Sequence, residues 1–457
     1  MRRYSIFTIL ALAALAATSC NQDQADQAPM KLVWTRVLNT PYQALISSYD
    51  ASRDSLFAVV EEMPVNGDAS RNQFTLWRID VDGNVLGPVF FPDPALAVQL
   101  PGMGENCGAP RNPFIGVSPD GDVHITGVFR NLASQDEGCD TYGLWPGWAA
   151  FARYDKDLNR LAFKMLKSFN GDDPRYTMVE LGAELGNGER YFGMYIPDYR
   201  SDDESTIGNV SATLSADGTL ESSVTIPPPP GYAEMLSTAS PDGGIFQMQS
   251  AHPDDAAHPR ERLVRYDAAG NELWSAGTVQ EIFPPTRYLA VAGDHTVFLS
   301  GDFNGADDSF MGRRIPDPEH GQFVARVDDG ELTWVRWLGH DEPVLQDPPS
   351  YADVPIAYDA AHDELYAGVN EYLICLDAAS GETKWAGTYN WIVNGGNFKF
   401  SDWDTTYNPQ LFKQLFVIHG KLIAVLTSVQ GRNPDGTSTP MARYRPLVLR
   451  FDRREGR

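Results

Sequence analysis

The chain has 457 residues, 42% of them hydrophobic and 21% charged, with 40 glycines, 32 prolines and 11% aromatics. That balance is globular and leans toward an all-β fold with many turns. The formal net charge of −25 excludes nucleic acid as a partner, because a phosphate backbone would be repelled; it serves either solubility or a cation-binding face.

The first segment is a targeting signal. Arg2 and Arg3 give a basic start, and Ile6 to Ala17 is an apolar run too short to span a bilayer permanently. Ala17-Thr18-Ser19-Cys20 follows, then the polar Asn21-Gln22-Asp23-Gln24. This resembles the lipobox of bacterial lipoproteins. The resemblance implies that residues 1–19 are a signal peptide, that Cys20 is lipidated, and that the protein is held at the cell envelope. Ala17 departs from the pattern, since Leu or a similar residue is usual there, which leaves ordinary signal cleavage open. Asn21 stands where an Asp would retain the protein at the inner membrane, so the outer membrane is the default expectation. Residues 20–30 read as a tether.

From residue 31 onward one unit recurs. A strand ends in Asp, a turn carries Gly or Asn, and the next strand often carries Trp. It reads Leu76-Trp77-Arg78-Ile79-Asp80 before Gly83-Asn84, and Ala152-Arg153-Tyr154-Asp155 before Asn159. Val264-Arg265-Tyr266-Asp267 precedes Gly270 and Trp274, and Ala325-Arg326-Val327-Asp328 precedes Gly330 and Trp334. The sharpest copy is Asp377-Ala378-Ala379-Ser380-Gly381-Glu382-Thr383-Lys384-Trp385; Asp217-Gly218 is a degenerate one. Asp bonds the turn backbone and Gly takes the positive φ of a tight hairpin. A second pair of apolar strands about a short turn precedes each copy, as at Ile115 to Phe129. Four strands per unit follow.

Six complete units fit between residues 42 and 389. A seventh runs over 411–457 and lacks its fourth strand. Lys31-Leu32-Val33-Trp34-Thr35-Arg36-Val37-Leu38 is a Trp-bearing strand without a partner. The expected fold is therefore an all-β, seven-bladed β-propeller of four-stranded blades over residues 31–457, its last blade closed by the N-terminal strand 31–38. Closure removes the edges that invite edge-to-edge association, and a monomer is expected. The Asp377 to Trp385 stretch resembles the quinoprotein-type (PQQ-like) repeat, and Phe323 to Gly339 resembles the bacterial SBBP propeller repeat. These resemblances imply the fold and leave function open. PQQ itself is not expected: quinoprotein dehydrogenases are usually eight-bladed and often carry a disulfide between adjacent cysteines, and no cysteines are adjacent here.

Three cysteines remain after Cys20. Cys107 and Cys139 sit in loop-like stretches and suit a disulfide in an oxidising compartment; Cys375 lies in an apolar strand and reads as an inert buried thiol. Strand order sends the long segments, approximately 62–73, 92–113, 130–148, 198–206, 250–261, 302–321, 339–353, 390–410 and 430–445, to one face, and the short turns to the other. The elaborated face is the candidate binding face. It carries Trp391, Phe398, Phe400, Trp403 and Tyr407 among Asn390, Asn394 and Asn397, a composition suited to a glycan or a protein partner, or to plugging the insertion onto the ring. Asp302, Asn304, Asp307 and Asp308 are the oxygen-rich set that best suits calcium, with solvated acidic turns as the plain alternative. His252 and His258 flank Asp254-Asp255 and read as an exposed polar loop. No G-x-S-x-G elbow, H-E-x-x-H or P-loop is present. The expectation is a non-catalytic envelope scaffold; the alternatives are a propeller hydrolase or lyase acting on polysaccharide, and an outer-membrane assembly factor of quinoprotein-like fold.

Overall fold

The structure is a computed structural model. It describes residues 29–38, 43–63, 73–91, 110–118, 121–130, 147–165, 178–184, 190–196, 208–214, 220–222, 232–251, 261–267, 269–279, 286–304, 309–314, 320–338, 354–369, 372–388, 407–432 and 438–454.

The strands follow the repeat closely. β1 is Met30–Val37. Sheet one is β2 (Gln43–Ala51), β3 (Ser55–Met63), β4 (Gln73–Asp80) and β5 (Val85–Phe91). Sheet two is β6 (Pro110–Val117), β7 (Val123–Arg130), β8 (Gly147–Tyr154) and β9 (Arg160–Met165). Sheet three is β10 (Met178–Glu184), β11 (Arg190–Ile196), β12 (Gly208–Leu214) and β13 (Leu220–Ser222). Sheet four is β14 (Tyr232–Ala239), β15 (Ile245–Ala251), β16 (Glu261–Tyr266) and β17 (Glu272–Val279). Sheet five is β18 (Thr286–Val291), β19 (Thr296–Asn304), β22 (His320–Asp328) and β23 (Glu331–Leu338); between β19 and β22, β20 (Ser309–Phe310) and β21 (Arg313–Arg314) pair as a separate two-stranded hairpin. Sheet six is β24 (Ile356–Asp359), β25 (Glu364–Val369), β26 (Tyr372–Asp377) and β27 (Thr383–Thr388). The last sheet is β28 (Tyr407–Ile418), β29 (Lys421–Arg432), β30 (Ser438–Arg453) and, out of sequence, β1.

All pairings are antiparallel, and β1 runs against β30 from Met30 opposite Arg453 to Val37 opposite Leu447. Past the strand, Leu38 donates to the Pro446 carbonyl at 3.0 Å. The first strand of each sheet lies beside the first strand of the next, β2 by β6, β6 by β10, β10 by β14, β14 by β18, β18 by β24 and β24 by β28; β28 in turn touches β2. The architecture is all-β and propeller-like.

The core lies between facing sheets. Phe57, Val59 and Leu76 of sheet one pack on Ile125, Ala152 and Tyr154 of sheet two. Sheet six meets the last sheet through Tyr366, Leu373 and Cys375 against Phe412, Ala424 and Leu449. The last sheet meets the first: Trp34, Ile423, Val425 and Val448 pack with Leu56, Ala58, Val60 and Trp77. Buried aliphatic side chains alternating along pleated strands supply most of the drive to associate.

The joints repeat in detail. Between sheets five and six, the Trp334 indole donates to the Ala378 carbonyl at 3.1 Å and Arg326 donates to the same oxygen at 3.0 Å. Between the last sheet and the first, Trp34 donates to the Val81 carbonyl at 2.9 Å and Arg450 to that oxygen at 2.6 Å. Each indole packs closely against a turn glycine at positive φ. A Cβ on Gly381 would come within 2.7 Å of the Trp334 ring, and one on Gly83 within 2.9 Å of the Trp34 ring. The sequence asks for Gly here twice over, for φ and for the close approach. The N-terminal strand thus supplies to the last sheet what β23 supplies to sheet five.

Two expectations about loops are corrected. The 430–445 segment is mostly strand, because β29 and β30 extend past the height of the other sheets, and Tyr407 begins β28. Asp302 and Asn304 end β19, in register with Gln322 and His320, and do not lie in a loop. In both places strand pairing continues into stretches whose polar composition suggested irregular chain.

Candidate functional site

The two ends of the sheets differ. At one end the strands are joined by short turns: 52–54, 81–84, 118–122, 155–159, 240–244, 267–271, 292–295, 329–330, 360–363, 378–382 and 419–420. The strand ends on the other side bound the connections 64–72, 92–109, 131–146, 166–177, 197–207, 223–231, 252–260, 280–285, 305–319, 339–355 and 389–406, together with the short links 38–42, 370–371 and 433–437.

At the turn end the aspartates of the repeat are saturated with hydrogen-bond donors. Asp80 accepts from the backbone of Asp82 at 3.0 Å and Asn84 at 2.8 Å, and from the Asn84 amide at 2.8 Å. Asp155 repeats this with Asp157 and Asn159, and Asp267 with Ala269 and Asn271. Burial pushes the Asp80 and Asp155 carboxyls up, but the hydrogen bonds outweigh it and hold both below the usual carboxylate range. For Asp267 the Asn271 side chain is the largest influence, in the same direction. Ion pairs take up the rest: Arg153 with Asp122, Arg265 with Asp242, Arg326 with Asp328 and Arg450 with Asp452. Carboxylates already saturated with donors and held ionised make poor proton donors or acceptors at neutral pH.

One buried charge cluster stands where sheet six meets the last sheet. Glu364 has a side chain only 3% exposed. It accepts from Lys384 Nζ at 3.2 Å, Arg453 Nη2 at 3.0 Å and the Tyr366 hydroxyl at 3.0 Å. Burial, together with Glu364, pushes the Tyr366 hydroxyl and the Cys375 thiol well above their ordinary ranges. Cys375 is therefore an unreactive thiol in the fold. A second polar network lies in sheet four, toward the long-connection end. There the Arg262 guanidinium donates to Gln249 Oε1 at 2.7 Å, and the Gln249 amide donates to the Tyr266 hydroxyl at 3.0 Å and to Gln247. Neither network was legible as a site beforehand. An Arg or Glu inside an alternating strand reads as solvent-facing, and only the pairing register shows it buried between sheets.

Most of the sequence candidates are not among the described residues. Cys20, Cys107, Cys139, Trp391, Phe398, Phe400, Trp403, Asp307, Asp308, His252 and His258 lie outside the described residues. Tyr407 opens β28, and Asp302 and Asn304 close β19, so all three belong to strand ends on the long-connection side. Among the described residues no group of three or more His, Cys, Asp or Glu side chains could hold a metal. Pro110 pairs with Phe129; the connections that carry Cys107 and Cys139 therefore flank neighbouring strand ends. No described helix is long and apolar enough to cross a membrane.

No protein-family model matches the chain, and no curated protein does. Among solved structures, the polysaccharide lyase Uly1 is similar with a TM-score of 0.51 and 10% identity, over 93% of this chain and 99% of that one. Apo AztD from Citrobacter koseri matches with a TM-score of 0.38 and 12% identity, over 77% of this chain and 87% of that one. A luciferin-regenerating enzyme matches at 0.36 and 12% identity, over 76% and 92%. The likeness to the lyase is one of fold; the other two are too distant to bear on this chain.

Proposed function

We propose that this chain is an envelope lipoprotein whose seven sheets form one closed propeller, and that it captures a protein or glycan partner on the long-connection end without turning it over. The observation that carries the reading is the contrast between the ends. At the turn end, the described polar side chains that define the repeat are committed to holding turns and neighbouring sheets. The opposite end receives the long connections, with the aromatic and amide segment around Trp391, Trp403 and Tyr407 among them. Function on a rigid β scaffold concentrates in such loops. Closure is supported by the contact of β28 with β2 and by the Trp34 joint. Anchoring rests on Cys20 and its flanks.

A second reading has a specific observation in its favour: the lyase of similar fold spans nearly the whole chain. An enzyme acting on polysaccharide would assemble its acid and base from the long connections. One experiment separates the readings. The purified protein is applied to an array of immobilised glycans, and released fragments are measured alongside retention. Retention with intact glycan supports capture. Release of fragments overturns the scaffold reading in favour of cleavage.

A further inference from the structure

The direction in which the chain enters the last sheet bears on how the molecule stands on its membrane. β1 begins at the turn end: Arg454 donates to the Pro29 carbonyl at 3.3 Å, beside the β28–β29 turn at His419 and Gly420. Trp34 and Arg450 both reach Val81 in the turn between β4 and β5, so the turns of sheet one share that end. The tether between Cys20 and Met30 therefore leaves from the turn end. Ten extended residues reach at most roughly 35 Å. β28 and β29, twelve residues each, stand about 40 Å tall. A tether that started at the turn end could not run back past the sheet to bring the long-connection end to the bilayer.

The surface at that end suits a lipid interface. Val85, Leu86 and Leu161 sit at the start of the outer strands β5 and β9, 41%, 41% and 52% exposed, and Val33 in β1 is 43% exposed. They belong to sheets one, two and the last, which adjoin the point of entry. Around the point of entry Lys31, Lys421, Arg450, Arg453 and Arg454 stand against Asp82 and Asp452, with Arg453 paired to the buried Glu364, and the turns of sheets one and two add Arg53, Arg78, Lys156 and Arg160 beside Asp54, Asp80, Asp155 and Asp157. In a chain of net charge −25 this is a local excess of cations. Basic and apolar groups together suit an anionic headgroup layer.

We propose that the turn end of the last, first and second sheets rests on the anionic surface of the membrane that holds Cys20, with the long-connection end directed away from it. This rests on the anchor reading above. The test uses the full chain purified with its lipid and reconstituted in vesicles of phosphatidylethanolamine and phosphatidylglycerol. Leu86→Cys and Phe90→Cys, at opposite ends of β5, are each labelled with a small fluorophore, with the unsubstituted protein labelled in parallel as background. Vesicles carry a headgroup-linked quencher. Fluorescence should be lost at Leu86→Cys and kept at Phe90→Cys, and the loss should lessen in wholly zwitterionic vesicles. Equal quenching at the two sites, stronger quenching at Phe90→Cys, or no effect of lipid charge overturns the orientation while leaving the anchor intact. Intact mass reports the acyl chains on Cys20 separately; a chain without them overturns both readings.

Discussion

Replacing Trp34 by Ala removes the joint between the last sheet and the first. The Trp34 side chain is buried, with the residue 9% exposed, and truncating a buried Trp to Ala costs about 3–5 kcal/mol. The lost indole hydrogen bond adds little, since the Val81 carbonyl keeps its bond from Arg450 at 2.6 Å and is not left unpaired. The expected loss is therefore near the low end, about 3 kcal/mol. Trp334→Ala at the joint between sheets five and six should cost the same, because Ala378 likewise keeps its bond from Arg326. The two variants should differ in where the fold loosens. Strand β1 is held by β30 on one side and by this joint, so Trp34→Ala should speed amide exchange throughout 30–37, whereas Trp334→Ala should leave those amides unchanged. Guanidinium unfolding gives the first quantity and hydrogen exchange read by mass spectrometry the second. A Trp34→Ala loss below about 1 kcal/mol, far under the range for a buried Trp, or unchanged exchange in β1, would refute the claim that this strand closes the fold.

Gly83→Ala and Gly381→Ala should each destabilise by more than the roughly 1 kcal/mol expected for positive φ alone, because the added Cβ meets an indole; melting temperatures of both variants test this. Glu364→Gln leaves Lys384 and Arg453 without their shared carboxylate. Because those two side chains are 35% and 30% exposed, the loss should be about 2 kcal/mol, below the 3–5 of a fully buried pair, measured by denaturant titration. The turn aspartates give a pH signature. Their pKa values are lowered, so their stabilisation is present above the unfolded value of about 3.9 and lost as pH falls through the folded value. A combined Asn84→Ala, Asn159→Ala and Asn271→Ala variant should be less stable than wild type at neutral pH, and the gap should close as pH falls well below that value; a constant gap in melts across pH contradicts the assignment. For calcium, a chelator should lower the melting temperature if Asp302, Asn304, Asp307 and Asp308 form a site; an unchanged melt removes it.

Much of the fold was legible because its determinants are local. An Asp that caps a turn, a residue at positive φ that is usually Gly, and often a Trp four residues after it recur from sheet to sheet, and each is fixed by the hairpin it sits in. The partnerless strand at residues 31–38 was legible for the same reason, as it carries the Trp that the final unit lacks. What was not legible depended on register. Nothing in Glu364 or Arg265 marks them as buried until β25 and β16 are set beside their neighbours. The extension of β28 to β30 was hidden by Pro409, Pro440 and Pro446 and by charged residues, which read as loop until pairing along one side is known. The candidate site was legible only as composition, since loops of this kind take their geometry from contacts that no periodic pattern encodes.

The most direct test of the functional account is capture by the long-connection end. Wild type and a Trp391→Ala, Trp403→Ala, Tyr407→Ala variant are compared for retention of envelope glycans and proteins, with the melting temperature recorded for each. The account predicts that the variant melts as wild type does and loses capture, and that wild type leaves its captured partner chemically unchanged. Capture undiminished in the variant, or a partner cleaved by wild type, would contradict it.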